Sequence, residues 1–327
     1  MKTSLTGIKT TGELHIGNYL GAIVPAIEKQ KDNNCIFMIA DLHSITTLKD
    51  PKLLQTYIYD NIASWITLGV NTDQHTLFLQ SQIPYHTELS WYFSCMTGMG
   101  FLERAHAYKD LKDKNPKDLN HGIFYYPILM ATDILLYNTD LVPVGKDQKQ
   151  HVEMTRDIAN SFNNLYNSEI FKLPEAIIKK EIEIIPGLDD QKMSKRYNNV
   201  IPLWSTEKKL RKKIMTIKTD SKTLEEPKSL KGTLIEKYLT HFSTKEEYNN
   251  LEKQLQAGGL GWGHAKEKLF EIINNHFKDY RNKYQELRKD EEQLRKILKN
   301  GNQKALDIST PVIQRVRKAV GTNFKFD

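Results

Sequence analysis

Two short segments, far apart in the chain, carry the groups best suited to phosphate chemistry: His15-Ile16-Gly17-Asn18 and Lys192-Met193-Ser194-Lys195-Arg196. The first ends a stretch in which Gly7, Gly12 and Gly17 let a flat base or ribose approach the backbone. A helix starting there would offer free N–H groups and a positive dipole end to a phosphate. His15 and Asn18 can donate hydrogen bonds to phosphate oxygens as charge builds on them. In the second segment Lys192 and Lys195 are two ammonium groups on one short loop, suited to clamping a triphosphate and neutralising departing pyrophosphate. Either segment alone also fits a plain turn or a solvated basic loop. Together they point to attack by an acid on the α-phosphate of ATP. A carboxylate nucleophile is already ionised at neutral pH, so alignment and charge stabilisation suffice and no general base is required.

A third candidate is Asp133, within Leu129-Met130-Ala131-Thr132-Asp133-Ile134-Leu135. A carboxylate in so apolar a run is costly to bury unless it is paired. It reads either as a helix-end acid or salt bridge, or as an acceptor for a ligand donor.

The elements that must position these groups alternate over the first 200 residues. Ser4–Ile8 reads as a short extended run and Gly17–Gln30 as an amphipathic helix. Cys35–Ala40 and Thr76–Leu79 have the continuous apolar character of buried parallel strands. Asp50 as N-cap, Pro51 in the first turn and Gly69 as stop bound a helix over Pro51–Leu68. Thr87–Met96 reads as another helix. Asp140–Gly145 is extended and leads into a helix from Asp147 to about Asn163. This alternation predicts an α/β fold, a Rossmann-like doubly wound parallel sheet. Beyond residue 200 strand-like runs vanish. Leu269, Ile273, Phe277, Tyr280, Tyr284 and Leu287 step by three or four along one helical face. Gly258–Gly263 reads as a turn, and Thr310-Pro311 as the start of a final helix ending near Gly321. Two domains are therefore expected: 1–200, catalytic, and 201–327, α-helical, with the last helix free to pack back on the first domain.

Charge divides the same way. Residues 1–200 carry 20 Lys and Arg against 23 Asp and Glu; residues 201–327 carry 27 against 17. A basic second half beside a mildly acidic first half suggests a polyanion partner for the former, or merely a solubilising helical surface. Cys35 and Cys95 are the only cysteines, without the spacing of a zinc site or a disulfide framework, as expected of a reducing cytoplasm. No apolar run approaches the ~18 residues of a membrane helix, and the first residues lack the apolar core of a signal peptide. A cytoplasmic protein with no membrane partner is expected.

The two segments are similar to the HIGH and KMSKS signatures of class I aminoacyl-tRNA synthetases. The sequence between them resembles the bacterial-type tryptophanyl-tRNA synthetases, in Thr11–Ala22, Ala40–Thr46, Tyr126–Tyr137 and Val142–His151. The likeness runs from Thr6 to the final helix. It implies activation of L-tryptophan by ATP with Mg2+ to tryptophanyl-adenylate and pyrophosphate, then transfer to the 3′ end of tRNA(Trp), by a homodimer. It also implies roles. His15, Asn18, Lys192 and Lys195 would be catalytic. Lys9, Thr10, Thr11, Gly17, Gly145, Lys146, Asp147, Ile185, Met193, Ser194 and Arg196 would join Asn18, Lys192 and Lys195 on ATP. Asp133 would accept the indole N–H, Met130, Val142 and Val144 would wall the indole, Tyr126 and Gln148 would hold the ammonium group, and His43 would lie in the same pocket. No residue is expected to form a dedicated metal site. The sequence departs from the family at Arg196 (usually serine), Lys146 (usually glutamate) and Lys9-Thr10-Thr11 (commonly Gln-Pro-Ser). Other readings are a tyrosyl-tRNA synthetase, against which the Asp133 and Gly145–His151 contexts speak, a small adenylyltransferase, and a non-catalytic RNA-binding relative.

Overall fold

The computed structural model describes residues 1–114, 116–145, 148–178 and 185–324. The chain divides into two compact units that interleave along the sequence: Met1–Thr11, Pro25–Lys180 and Asp290–Asp327 form one, and Gly12–Val24 and Glu181–Lys289 the other.

The first unit is built on a five-stranded sheet of β1 (Lys2–Lys9), β2 (Asn33–Ala40), β3 (Thr76–Leu79), β4 (Leu141–Pro143) and β5 (Glu175–Ile177), in the order β3-β2-β1-β4-β5. Every pairing is parallel. This is the expected Rossmann-like doubly wound sheet. Six consecutive residues of β2, Cys35–Ala40, are buried, as a strand covered on both faces requires. The flanking helices are Pro51–Leu68, Tyr85–Met96, His121–Leu135 and Lys149–Leu165. Asp50 caps the first of these, its carboxylate accepting from the N–H groups of Lys52 and Leu53. Asp147 lies outside the described residues, and the helix expected to start there begins at Lys149 with Gln148 as N-cap.

Two expectations fail, both at prolines. The predicted Gly17–Gln30 helix is a chain of short pieces: an α-turn Ile16–Asn18, a π-helical stretch Tyr19–Ile23, an α-stretch Val24–Glu28 and a 3-10 turn Lys29–Lys31. Pro25 has no N–H for a regular ladder, which is interrupted around it. The final helix does not start at Thr310-Pro311; it runs from Glu291 to Val320 with Pro311 inside. An interior proline costs about 3 kcal/mol, and packing on both sides of it offsets that cost. Upstream, Gly301 lies so close to β3 that a Cβ there would stand 1.8 Å from the Leu77 carbonyl oxygen. Asn302 Oδ1 accepts from the Leu79 N–H at 3.0 Å. Downstream, Val312, Ile313 and Val316 are buried, and Arg317 makes a two-pronged bond to Glu88 at 2.7 and 2.6 Å.

The second unit is helical: Glu207–Met215, Leu234–Phe242, Lys245–Gln256 and the long Trp262–Lys289. Leu269, Ile273 and Phe277 of the expected apolar face are buried. The Gly258-Gly259 turn needs glycine: both have φ near +75°, and a Cβ on Gly258 would meet the Glu225 carbonyl at 2.6 Å.

Candidate active site

In an open parallel sheet, ligands bind outside the carboxyl ends of the strands where the strand order reverses. Here that point lies between β1 and β4, and the site residues of the first unit follow strand ends. Lys9 ends β1 and Thr10 follows it; Asp41 and His43 follow β2; Gln80 follows β3; Val144 and Gly145 follow β4.

Asp133, near the end of helix His121–Leu135, is 2% exposed. Its Oδ2 lies 2.7 Å from His43 Nε2, and its Oδ1 accepts from Gln80 Nε2 at 2.7 Å. His86 Nδ1 stands 2.6 Å from the same Oδ1, on an approach bent away from hydrogen-bond geometry. Burial opposes ionisation of this carboxyl, but the two imidazoles beside it outweigh that and hold it below the usual carboxylate range. The buried acid is therefore paired and ionised. Val142, on β4, is buried in the core of this unit, and Met130 and Val144 pack partly exposed against the same core.

A second polar chain in this unit joins Tyr126, whose hydroxyl lies 2.6 Å from His151 Nε2, to Gln148, whose Oε1 lies 3.1 Å from His151 Nδ1. Lys9 reaches over the Tyr126 ring, its Nζ 5.3 Å from the centroid, and burial lowers its pKa. Thr10 is fully buried, and its N–H and hydroxyl both donate to Ser44 Oγ, at 2.8 and 2.9 Å. Those two donors face the protein. Thr11 is half-buried and Gly145 exposed. Lys146 and Asp147 lie outside the described residues.

In the second unit the two signature segments meet. The His15 region runs antiparallel to residues just after the lysine loop: Ile16 N–H donates to Ile201 O at 3.0 Å, and Leu203 N–H to Leu14 O at 2.9 Å. Gly17 N–H points at Met193 Sδ, 3.3 Å away, and a Cβ on Gly17 would press on the His15 ring at 3.0 Å. His15 and Asn18 form a reciprocal cap. Asn18 N–H donates to His15 Nδ1 at 3.3 Å, and His15 N–H to Asn18 Oδ1 at 3.2 Å. An accepting Nδ1 puts the imidazole proton on Nε2. Burial and the neighbouring Lys195 charge depress the His15 pKa to about 4, so the ring is neutral at pH 7. Lys195 donates to Gly12 O at 2.8 Å. Burial brings its pKa down to about 8, against a weaker opposing pull from Glu13.

The lysine loop is a small hairpin. Met193 N–H donates to Ile185 O at 3.1 Å, Pro186 pairs with Lys192, and Lys195–Tyr197 form a 3-10 turn. Lys192 is exposed; Ser194 and Lys195 are half-buried; the Arg196 side chain is outside the described set. The hairpin is held by Asn199. Its Oδ1 accepts from Ser194 N–H at 2.8 Å, and its Nδ2 donates to Asp189 at 2.7 Å and Lys192 O at 3.1 Å. Gly187 gives it room, since a Cβ there would stand 2.3 Å from the Asn199 amide.

Five residues that sequence reasoning did not single out thus shape the site: Ser44, Gln80, His86, His151 and Asn199. Each acts through a bond spanning the fold or a tight loop, without a spacing signal of its own. The nearest sequence clue was His151, adjacent to the Gln148–Gln150 run.

Comparisons with known proteins give the family. Residues 2–278 match the family model for tRNA synthetases class I (W and Y). The tryptophan–tRNA ligase of Fusobacterium nucleatum is 44% identical, with 98% of each chain covered. A crystal structure of tryptophanyl-tRNA synthetase from Campylobacter jejuni, complexed with ADP and tryptophan, superposes with a TM-score of 0.93 at 41% identity, covering 98% of this chain and 99% of that one. The tryptophanyl-tRNA synthetase of Mycoplasma pneumoniae gives 0.81 at 30%, with 98% of each chain covered. The chain belongs to the class I tRNA synthetases of the tryptophan and tyrosine group and, within it, to the bacterial-type tryptophanyl-tRNA synthetases.

Proposed function

We propose that this enzyme joins L-tryptophan to the α-phosphate of ATP, releases pyrophosphate, and passes the tryptophanyl group to the 3′ end of tRNA(Trp), with the residue roles that follow. The observation that carries the amino-acid assignment is the buried, ionised Asp133 among the apolar side chains of the first unit. An indole N–H satisfies such an acceptor and a phenyl ring does not. Sites built around a bond of this kind reject the analogue lacking it by roughly 10⁴–10⁵. The Tyr126 hydroxyl and Gln148 amide, linked through His151, hold the substrate ammonium, and His43 completes the pocket.

The tryptophan carboxylate needs no deprotonation. Its attack is favoured by alignment and by donors where charge develops. His15 Nε2–H and Asn18 supply neutral donors to phosphate oxygens, and Lys192 and Lys195 neutralise the departing pyrophosphate. ATP enters as its magnesium complex. Among the described residues no group of three His, Cys, Asp or Glu side chains is arranged to hold a metal ion, and the magnesium travels with the phosphates. Lys9, Thr11, Gly17, Gly145, Ile185, Met193, Ser194 and Arg196, with Lys146 and Asp147, serve the nucleotide; Thr10, whose N–H and hydroxyl are held by Ser44, contributes through its carbonyl.

The basic residues of 201–327 face the tRNA, those of 201–289 from the second unit and those of 290–327 from the first. Lys209, Lys212 and Lys213 line a cavity of about 630 Å³ in the second unit beside the exposed Tyr197. Trp91 and Met99, 68% and 64% exposed, support a homodimer that covers them. Among the described residues no helix is long and apolar enough to cross a membrane, and the reaction belongs to cytoplasmic translation.

Tryptophan-dependent exchange of pyrophosphate into ATP tests the assignment. The wild type should support exchange with tryptophan and not with tyrosine. Asp133→Ala should lose exchange by a hundredfold or more, in line with the ~1–3 kcal/mol of an orphaned buried donor added to the lost bond, while ATP binding persists. Unchanged tryptophan kinetics in that variant would remove Asp133 from the site.

A further inference from the structure

Asp133 is surrounded by more machinery than pairing alone requires. A carboxylate offers about four lone-pair directions. His43 and Gln80 take two of them, and His86 Nδ1 stands 2.6 Å from Oδ1, off hydrogen-bond alignment. What is left for a ligand depends on how these three groups are held, and His86 is held among aromatic rings. It is fully buried on helix Tyr85–Met96, stacked on Phe78 with ring centroids 5.9 Å apart at 20°. Tyr137 packs against both rings, 5.6 Å from His86 and 5.2 Å from Phe78. The far nitrogen of His86, Nε2, lies 2.8 Å from the Tyr137 hydroxyl.

The protons in this row are set by chemistry. A carboxylate only accepts, so the Nδ1 facing it carries the imidazole proton. Burial and the nearby Asp133 charge raise the Tyr137 pKa well above its ordinary value, so its hydroxyl keeps its proton and stays a hydrogen-bond partner for Nε2 at 2.8 Å. Tyr137 thus holds the far side of the ring, and His86 keeps its Nδ1 beside Oδ1 at 2.6 Å. The logic is that of an outer partner orienting an inner ligand.

We propose that His86, locked by Tyr137, is a positioning residue for amino-acid specificity: standing 2.6 Å from Oδ1, it holds the Asp133 carboxylate so that a free lone pair meets the indole N–H. This rests on the reading of Asp133 as the indole acceptor. His86 touches no substrate; it acts through the carboxylate.

The discriminating measurement compares L-tryptophan with β-(3-benzothienyl)-L-alanine, in which sulfur replaces the indole N–H, in pyrophosphate exchange. The wild type should strongly prefer tryptophan. In His86→Leu the ratio of the two kcat/KM values should narrow by about tenfold or more, with the KM for ATP unchanged. His86→Asn, whose amide N–H stands near the place of Nδ1, should restore most of the preference. A merely structural histidine would lower both substrates in proportion and leave the ratio intact, and that result in a folded His86→Leu overturns the proposal. Should His86→Leu fail to fold, Tyr137→Phe keeps the ring packing and removes the hydroxyl. It should narrow the ratio severalfold, and an unchanged ratio there overturns the proposal equally. Failure of the underlying reading looks different: the wild type itself would not distinguish the two substrates.

Discussion

Lys195 shows how one half-buried cation can set a pH limit. Its ammonium sits against the Gly12 carbonyl, and burial lowers its pKa to about 8. A lowered lysine pKa means that charge is lost as pH rises through that value. The free enzyme should then lose kcat/KM for ATP above pH 8, since that parameter reports free-enzyme groups. Bound phosphates favour the charged form, so kcat should hold to higher pH. Lys195→Arg carries a charge that does not titrate in this range. It should be slower at neutral pH and lack the alkaline fall up to about pH 9.5. A wild-type profile that stays flat across the same range would place the limiting cation elsewhere. His15 imposes no matching acid limb near neutrality, because its pKa of about 4 leaves it neutral throughout.

At the scale of elements, the final helix depends on one missing side chain. Gly301 brings the helix onto β3, and any Cβ would overlap the Leu77 carbonyl at 1.8 Å. Backbone cannot yield as a flexible side chain does. Gly301→Ala should therefore destabilise the protein by about 3 kcal/mol or more, read as a lower denaturant midpoint. Gly263→Ala is the control: it lies in helix Trp262–Lys289 with nothing near its would-be Cβ, and alanine should be neutral or gain up to ~1 kcal/mol. Equal loss in both would mean that the packing on β3 is not what holds the helix. The same region marks the reach of sequence reasoning. Buried strands and capped helices were legible, because Cys35–Ala40 and Asp50–Gly69 carry their signals within a few residues. Pro311 misled because local propensity placed a helix start there, while long-range packing on Leu77 and Glu88 carried the helix through. Short β5 gave no periodicity to read. At the site, His15, Lys195 and Asp133 stood out by type and context; Gln80, His86 and Asn199 did not, since ordinary polar residues gain their roles only from partners that folding brings near.

For the whole molecule, the compact units do not follow a single cut in the chain, yet charge does change along it. Residues 201–327 carry ten more cationic than anionic side chains, and the segment before them three fewer. Two of the three substrates are small. The RNA acceptor instead presents a phosphate every few ångströms along an exposed backbone. Its binding should release condensed counterions and weaken steeply with salt, whereas exchange of pyrophosphate should change little over the same range. Lys212 and Lys213 line the cavity of the second unit and make no ion pair among the described residues. Replacing both with alanine should weaken tRNA affinity at low salt. It should also reduce the slope of log K against log salt by about 1.5, at ~0.7–0.9 for each phosphate no longer neutralised. Tryptophan-dependent exchange should be untouched. Filter binding or the tRNA dependence of aminoacylation, repeated across salt concentrations, measures the slope. A parallel line at lower affinity would mean that these lysines act on the fold or the loop rather than on phosphates, and an unchanged line would take the cavity off the RNA path.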